Sequence, residues 1–291
     1  MQRLLSIESP FPQAHSMLRF LEPPGSCVQT LWTRIFDGSY DKPFIVDTAL
    51  RRYLHFDFDN VQSAMDMVDP DRLTLAYTRK MMAFLLFNRA PDRILLLGLG
   101  GGSLAKFCYR RLPGAAVTAV EIDSNVIALR EVFAIPQDDD RFRVVCADAA
   151  AYVAQLAPMK DVILVDACDR AGVAAELDIL EFYENARRCL TPGGVFVINV
   201  CGDWQNRTAH LLKIRQAFGD AFLTMQARLD GNVIVLAFKD SSPDIRPDLL
   251  GVTAEDLKRR FGLDFPRYVR RMAIDLQLRR WERAFTPGLT A

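Results

Sequence analysis

The sequence is poor in the side chains from which metal sites and disulfide frameworks are usually built. Its three histidines, His15, His55 and His210, are scattered and lack the spacing of metal ligands. No two of its six cysteines form a CxxC pair; they lie at positions 27, 108, 146, 168, 189 and 201. We therefore expect no metal, and we interpret the cysteines, with Cys108, Cys146 and Cys189 on apolar faces, as small buried hydrophobic residues in a reducing cytoplasm.

Long apolar runs and net charge are missing as well. No stretch approaches the length of a membrane span, and the first residues lack the apolar run of a signal peptide. The 36 basic residues balance the 36 acidic ones, which argues against general nucleic-acid binding. We therefore expect a cytoplasmic protein that binds neither membrane nor nucleic acid. Half of the residues are hydrophobic, enough for a substantial core.

What the sequence does contain is a strand, turn, helix and strand pattern over residues 92–123. An apolar run at 94–97 precedes a glycine-rich turn, and a helical segment starts at Ser103. Glycine backbone can approach a ligand that a Cβ would block, and the helix N-terminus points N–H groups at the same place. Glu121 follows about twenty residues later, where a carboxylate can accept both ribose hydroxyls. We assign three loop glycines to this nucleoside site: Gly98, Gly100 and Gly102.

Apolar strands alternate with amphipathic helices through the middle of the chain, which predicts a parallel, doubly wound α/β sheet. Further strands are predicted at Phe142–Cys146, Val162–Val165 and Val195–Val200. Two last strands, at 221–229 and 233–238, are joined by Asp230-Gly231-Asn232. This turn predicts an antiparallel hairpin at the end of the sheet.

The first 66 residues differ from the rest in texture. Short runs rich in aromatic and β-branched residues, at 31–36, 44–46 and 53–56, alternate with turn formers. This pattern predicts a small antiparallel β-hairpin subdomain over residues 1–66. A nucleoside-binding domain with C-terminal helices is predicted over residues 67–291.

Four acidic residues follow the ends of three predicted strands: Glu121, Asp148, Asp166 and Asp169. The carboxyl ends of strands in an open α/β sheet converge on one crevice. Asp148 fits an acceptor for the amine of adenine, whereas the last two lie where a second substrate would bind. Each residue alone also fits a helix cap or a solvated loop acid. Together they repel one another, and a cationic ligand would offset that repulsion.

These residues resemble the spermidine synthase family, the polyamine aminopropyltransferases, over roughly residues 53–238. The resemblance rests on LGLGGG at 97–102, VEID at 120–123, ADA at 147–149, VDACD at 165–169, EFY at 181–183 and LTPGG at 190–194. It implies a methyltransferase-type Rossmann fold, with a mostly parallel seven-stranded sheet that ends in an antiparallel hairpin. It also implies a homodimer.

The resemblance implies transfer of an aminopropyl group from decarboxylated S-adenosylmethionine to a diamine such as putrescine, releasing methylthioadenosine. Asp166 would remove or orient the proton of the attacking amine, and Asp169 would bind a substrate ammonium. No metal is implied. The co-substrate site would comprise Gln62, the three loop glycines, Glu121 for the ribose, Ile122, Asp148 for the adenine, and Ala149.

Two departures from the family pattern keep alternatives open. Gly101 stands where the family's loop usually carries an aspartate, and Tyr77-Thr78-Arg79-Lys80 replaces its Tyr-His-Glu segment. Without the loop aspartate, the carboxylate of ordinary S-adenosylmethionine fits against the loop N–H groups. The alternatives are therefore an S-adenosylmethionine-dependent methyltransferase and a non-catalytic nucleoside-binding homologue. A nicotinamide dehydrogenase is disfavoured, since Ser103 stands at the third glycine of that fingerprint.

Overall fold

The computed structural model describes residues 4–9, 16–23, 25–168, 172–226, 231–241 and 243–285, with the backbone alone for 247 and 278–285. The chain divides into two compact units. The first comprises residues 1–75 and 96–149, and the second comprises residues 76–95 and 150–291. The domain boundary near Met67 stays a prediction.

Within the described residues, one sheet has five antiparallel strands in the order β1-β2-β3-β4-β5. This confirms the predicted N-terminal antiparallel sheet. The strands are β1 (Leu5–Glu8), β2 (Met17–Phe20), β3 (Phe44–Asp47), β4 (Arg51–His55) and β5 (Val61–Asp66).

The second sheet has, among the described residues, seven strands in the order β11-β12-β10-β9-β6-β7-β8. The pairs β9–β10 and β7–β8 are parallel, whereas β12 is antiparallel to both β10 and β11. The predicted mostly parallel sheet with a final antiparallel pair is thus confirmed, although Asp230 of the predicted turn lies outside the described residues. The strands are β6 (Arg93–Leu97), β7 (Ala116–Glu121), β8 (Phe142–Cys146), β9 (Lys160–Val165), β10 (Leu190–Val200), β11 (Phe222–Gln226) and β12 (Val233–Phe238).

Along the described part of the chain, helices alternate with the strands of the second sheet, as the sequence pattern predicts. Two short 3-10 helices, Met82–Leu86 and Ala175–Leu177, accompany them. The α-helices are α1 (Val28–Phe36), α2 (Ala76–Met81), α3 (Ser103–Arg111), α4 (Ser124–Ala128), α5 (Ala149–Ala154), α6 (Leu180–Cys189), α7 (Trp204–Phe218), α8 (Pro247–Phe261) and α9 (Phe265–Phe285).

The central strands are apolar along nearly their whole length because helices cover both faces of a parallel sheet. In β6, every residue after Arg93 is buried. In β10, the run from Val195 to Val200 is buried without a break. Asn199 is the polar member of that run, which makes it conspicuous. No helix in the described part of the chain is long and apolar enough to cross a membrane.

The strand predicted at residues 31–36 is wrong, because these residues belong to helix α1. Aromatic and β-branched content favours a strand, but the apolar residues recur at helical spacing, and Leu31 is buried. Trp32 stacks on Phe36 one turn later, with ring centroids 5.7 Å apart, and packs edge-on against Phe20 of β2. Burial of this face against the sheet therefore outweighs strand propensity.

The interpretation of the cysteines needs two corrections. Cys168 and Cys201 form a disulfide. No CxxC spacing indicates it in the sequence, because the two cysteines are brought together by the pairing of β9 with β10. Cys146 is exposed at the end of the edge strand β8 rather than placed on a covered apolar face. Cys108 and Cys189 are buried, as predicted.

Candidate active site

The glycine loop between β6 and α3 adopts backbone geometry that other residues rarely reach. Gly98, Gly100 and Gly102 have φ angles of 96°, 51° and 68°. These values lie in the left-handed region, where a Cβ is strained. The Gly98 N–H donates to the carbonyl oxygen of Val120 at 2.9 Å. The loop is therefore a defined structure attached to the end of β7.

Neighbouring side chains fill the space around the loop's last two glycines. A Cβ on Gly102 would lie 2.4 Å from Cγ1 of Ile135. A Cβ on Gly101 would lie 2.7 Å from Oγ of Ser63 and 3.0 Å from Cδ1 of Phe133. An aspartate at position 101 would therefore require Ser63 to move, whereas the ring of Phe133 would have to shift by only a few tenths of an ångström. The packing around position 101 thus suits the glycine that this chain carries.

Glu121, at the carboxyl end of β7, holds the glycine loop through its carboxylate. Oε2 accepts from the backbone N–H of Leu99 at 2.9 Å and of Gly100 at 3.4 Å, and Oε1 accepts from the N–H of Asp123 at 3.0 Å. A carboxylate offers about four acceptor positions, so about one remains for a ligand hydroxyl. Glu121 thus shapes the loop, and its contact with a ribose stays a prediction.

The next strand brings Asp148 to the same edge of the sheet as Glu121. In the parallel pair β7–β8, Glu121 lies opposite Cys146, and the N–H of Ala147 donates to the Glu121 carbonyl at 3.1 Å. Asp148 follows directly, before Ala149 begins α5. Ile122, next to Glu121, is a large apolar residue that is 64% exposed, which suits contact with a flat base.

Gln62 occupies an irregular position in β5. Leu54 pairs with Ser63 and His55 pairs with Val61, so Gln62 is the extra residue of a β-bulge. A bulge redirects side chains and is frequent beside binding sites. The following residue, Ser63, is the one that packs against the glycine loop. The first unit therefore brings the predicted nucleoside residues to one region.

Asp166 lies in the second unit, directly after β9, and both of its carboxylate oxygens are hydrogen-bonded. Because Val165 pairs with Ile198 of β10, Asp166 falls beside Asn199. The Asn199 Nδ2 donates to Oδ1 at 3.0 Å, and the hydroxyl of Tyr77 in α2 donates to Oδ2 at 3.1 Å. These two donors orient the carboxylate, as its predicted role requires.

Burial changes the acid strength of this carboxyl group. Desolvation raises the pKa of Asp166 above its ordinary value, while the hydrogen bonds from Asn199 and Tyr77 act in the opposite direction. A carboxylate with a raised pKa is a stronger proton acceptor. Asn199 is 3% exposed, and its buried Oδ1 has no hydrogen-bond partner among the described residues.

Some site residues escaped sequence reasoning. Asn199 carried a usable signal, since it interrupts an otherwise apolar strand, whereas the packing of Ser63 and Phe133 on Gly101 carried none. Asp169 lies outside the described residues, so its predicted role is not tested. That all four acids share one crevice also stays a prediction. No cluster of three or more metal-ligating side chains occurs within the described ranges.

Comparison with known proteins identifies the family. The family model of the spermine/spermidine synthase domain matches residues 74–227, more than half of the chain. The chain belongs to the spermine/spermidine synthase family. A polyamine aminopropyltransferase of Chromobacterium violaceum is 39% identical over 222 residues, covering 76% of this chain and 85% of that protein.

Solved structures agree with this family at the level of the fold. A probable spermidine synthase from Corynebacterium glutamicum superposes with a TM-score of 0.60 at 18% identity, over 89% of this chain and 88% of that one. Human Methyltransferase-like protein 13, solved in complex with SAH, superposes with a TM-score of 0.54 at 26% identity, over 63% of this chain and 90% of that one. The spermine/spermidine synthase fold is thus shared with methyltransferases, as the sequence predicts.

The crowding at Gly102 predicts a specific loss of stability. Gly102→Ala adds a Cβ against Ile135 at a left-handed φ angle, so we expect the free energy of unfolding to fall by about 2 kcal/mol or more. Urea denaturation measures this change. Gly114→Ala is the control, because Gly114 is exposed and a Cβ there meets nothing within 4 Å. Equal losses in the two variants would contradict the packing argument.

Proposed function

We propose that this spermine/spermidine synthase family member transfers an aminopropyl group from decarboxylated S-adenosylmethionine to a diamine such as putrescine. The observation that carries this proposal is Asp166, a carboxylate of raised pKa whose two oxygens are oriented by Tyr77 and Asn199. Such a group is suited to accept a proton from an amine. The identity to a relative named polyamine aminopropyltransferase supports the same reaction.

In this proposal, the first unit binds the nucleoside of the donor. The remaining acceptor position of Glu121 takes a ribose hydroxyl, Asp148 accepts from the amine of adenine, and Ile122 packs against the base. The loop glycines let the backbone approach the ligand. The sulfonium is attracted by the surrounding carboxylates, since it carries a positive charge. Gln62 and Ala149 complete the contacts to the nucleoside.

The proposed transfer is a single displacement. An ammonium ion has no lone pair, so the amine must first lose a proton, which the carboxylate of Asp166 accepts. The free lone pair then attacks the methylene bound to sulfur. The C–N bond forms as the C–S bond breaks, and its electron pair goes to sulfur. The leaving group is a neutral thioether that needs no acid, so positioning of amine and methylene is what remains for the protein. Asp169 is proposed to bind the distant ammonium of the substrate.

Several expectations from the sequence remain proposals. The acceptor is a small-molecule amine, the protein is a cytoplasmic homodimer, and the reaction uses no metal. The protein binds neither nucleic acid nor membrane. A balance of 36 basic and 36 acidic residues supports the absence of a nucleic-acid partner.

A second candidate is transfer from ordinary S-adenosylmethionine, as in a methyltransferase. Residue 101 is glycine, so this position carries no carboxylate to repel the donor's carboxylate, and Ser63 and Phe133 occupy the space beside it. Human Methyltransferase-like protein 13, solved with SAH, is 26% identical to this chain. This crowding is the observation that favours the second candidate.

The proposed role of Glu121 predicts a loss of nucleoside binding. Glu121→Ala leaves the N–H groups of Leu99 and Gly100 without their acceptor and removes the contact to the ribose. We expect methylthioadenosine affinity to fall about tenfold or more, measured by titration calorimetry. Asp138→Ala is the control, since this exposed residue on the loop before β8 lies outside the proposed site. An unchanged affinity in Glu121→Ala would contradict the assignment.

The proposed role of Asp166 predicts a defined pH profile. The rate should rise with pH as Asp166 loses its proton. Because the pKa of Asp166 is raised, this rise should occur at a higher pH than for an ordinary aspartate. Asp166→Asn should lower kcat about 100-fold or more and leave methylthioadenosine binding intact. Tyr77→Phe removes a hydrogen bond that lowers the pKa of Asp166. The rise of the rate on the acid side of the profile, its acid limb, should therefore move to higher pH.

Tyr109→Phe is the matched control for that substitution. Tyr109 bonds the exposed Asp139 rather than Asp166, so its removal should leave the profile in place. A Tyr77→Phe enzyme with the wild-type profile would contradict the role of Tyr77, and full activity of Asp166→Asn would contradict the proton acceptor.

The crowding at Gly101 predicts weak discrimination between the two donors. Calorimetry should give affinities for ordinary and decarboxylated S-adenosylmethionine within about tenfold of each other, a difference of about 1.4 kcal/mol. Mass spectrometry of products with a diamine panel identifies the group that is transferred. The double variant Ser63→Gly with Gly101→Asp should bind the ordinary donor more weakly and the decarboxylated donor about as well. Ser63→Gly alone is the control, and a large preference of the wild type for the decarboxylated donor rejects the second candidate.

A further inference from the structure

A disulfide lies next to the proposed proton acceptor. Cys168 and Cys201 are bonded, with Cα atoms 6.5 Å apart and a separation of 33 positions in the sequence. Cys168 lies two residues after Asp166, and Cys201 lies two residues after Asn199. The bond therefore joins the segments that follow β9 and β10, just beyond the hydrogen bond between Asp166 and Asn199.

The sulfur of Cys168 also contacts the amide that orients Asp166. The Asn199 Nδ2 lies 3.7 Å from the Cys168 Sγ and 3.0 Å from Oδ1 of Asp166. The backbone of Cys168 pairs with Val173 in an isolated bridge, and the Ala174 N–H donates to the Ala167 carbonyl at 3.0 Å. The side chain of Asn199 thus connects the disulfide to the carboxylate of Asp166.

We propose that Cys168 and Cys201 form a reversible redox site whose oxidised form holds Asn199 and Asp166 in the arrangement needed for transfer. The two cysteines are positioning residues, because they act on the substrate only through Asp166. Reduction removes the tie between the ends of β9 and β10 and loosens the Asn199 amide. The reduced protein is therefore the less active form. This inference rests on the proposed aminopropyl transfer for its activity readout.

The exchange partner is a low-molecular-weight thiol. Cys168 is partly exposed and Cys201 is buried, so the thiolate attacks the Cys168 sulfur. The S–S bond breaks, and Cys201 leaves with the electron pair and takes a proton. A second thiolate then attacks the outer sulfur of the mixed disulfide and releases Cys168. The protein gains two electrons, and two thiols become one small disulfide.

The first measurement is a thiol count on the full chain. Protein treated with oxidised or reduced glutathione is denatured, alkylated with N-ethylmaleimide and weighed by mass spectrometry. The oxidised sample should carry four additions, at Cys27, Cys108, Cys146 and Cys189, and the reduced sample six. Peptide mapping should find Cys168 joined to Cys201. Six additions under both conditions would overturn the proposal.

The second measurement follows function. We expect kcat/KM to be at least about fivefold higher in the oxidised form and to return after reoxidation. The acid limb should move to higher pH on reduction, because the Asn199 hydrogen bond lowers the pKa of Asp166. Cys168→Ser and Cys201→Ser should behave like the reduced form under both conditions, whereas the exposed control Cys27→Ser should keep the response. Equal activity and equal pH profiles in the two forms would overturn the proposal.

Failure of the proposed aminopropyl transfer can be distinguished from failure of the redox site. If neither form transfers an aminopropyl group, hydrogen exchange of the backbone at residues 172–177 decides the redox site instead. Faster exchange in the reduced form would support it. Identical exchange in both forms would overturn it.

Discussion

The glycine loop of the first unit depends on one carboxylate, that of Glu121. It accepts from the backbone N–H groups of Leu99, Gly100 and Asp123, so the glycine loop and the end of β7 share one anchor. The left-handed glycines could adopt many conformations in an isolated peptide. The carboxylate selects one of them. The group proposed to bind the ribose therefore also shapes the loop, which couples ligand binding to the order of the loop.

The second unit sets the chemistry of its acid by a balance of burial and hydrogen bonding. Desolvation of Asp166 favours the protonated form, while Asn199 and Tyr77 favour the carboxylate. The balance leaves a raised pKa, as a proton acceptor for an amine needs. Cys168 contacts the same asparagine, so the Cys168–Cys201 disulfide lies next to one of the two hydrogen bonds that lower the pKa of Asp166. The environment of Asp166 thus depends on the pairing of β9 with β10.

Family membership and donor choice rest on different parts of the molecule. The match over residues 74–227 assigns the chain to the spermine/spermidine synthase family. Gly101 stands where the resemblance to that family leads us to expect an aspartate, and Ser63 and Phe133 pack against it. A single substitution to aspartate would not restore the family's loop, since two neighbouring side chains would also have to move. Binding experiments on this chain therefore decide between ordinary and decarboxylated S-adenosylmethionine as the donor.

Local patterns in the sequence determined much of the protein. The apolar period predicted the parallel sheet and the limits of β8, because these features depend on residues close together in the chain. The nucleoside site that the glycines and Glu121 indicate stays a prediction. Long-range packing decided the rest. It made residues 28–36 a helix, placed Tyr77 and Asn199 on Asp166, filled the space at Gly101, and joined Cys168 to Cys201. Each of these contacts joins residues far apart in sequence, and only the folded arrangement of strands and helices brings them within bonding distance.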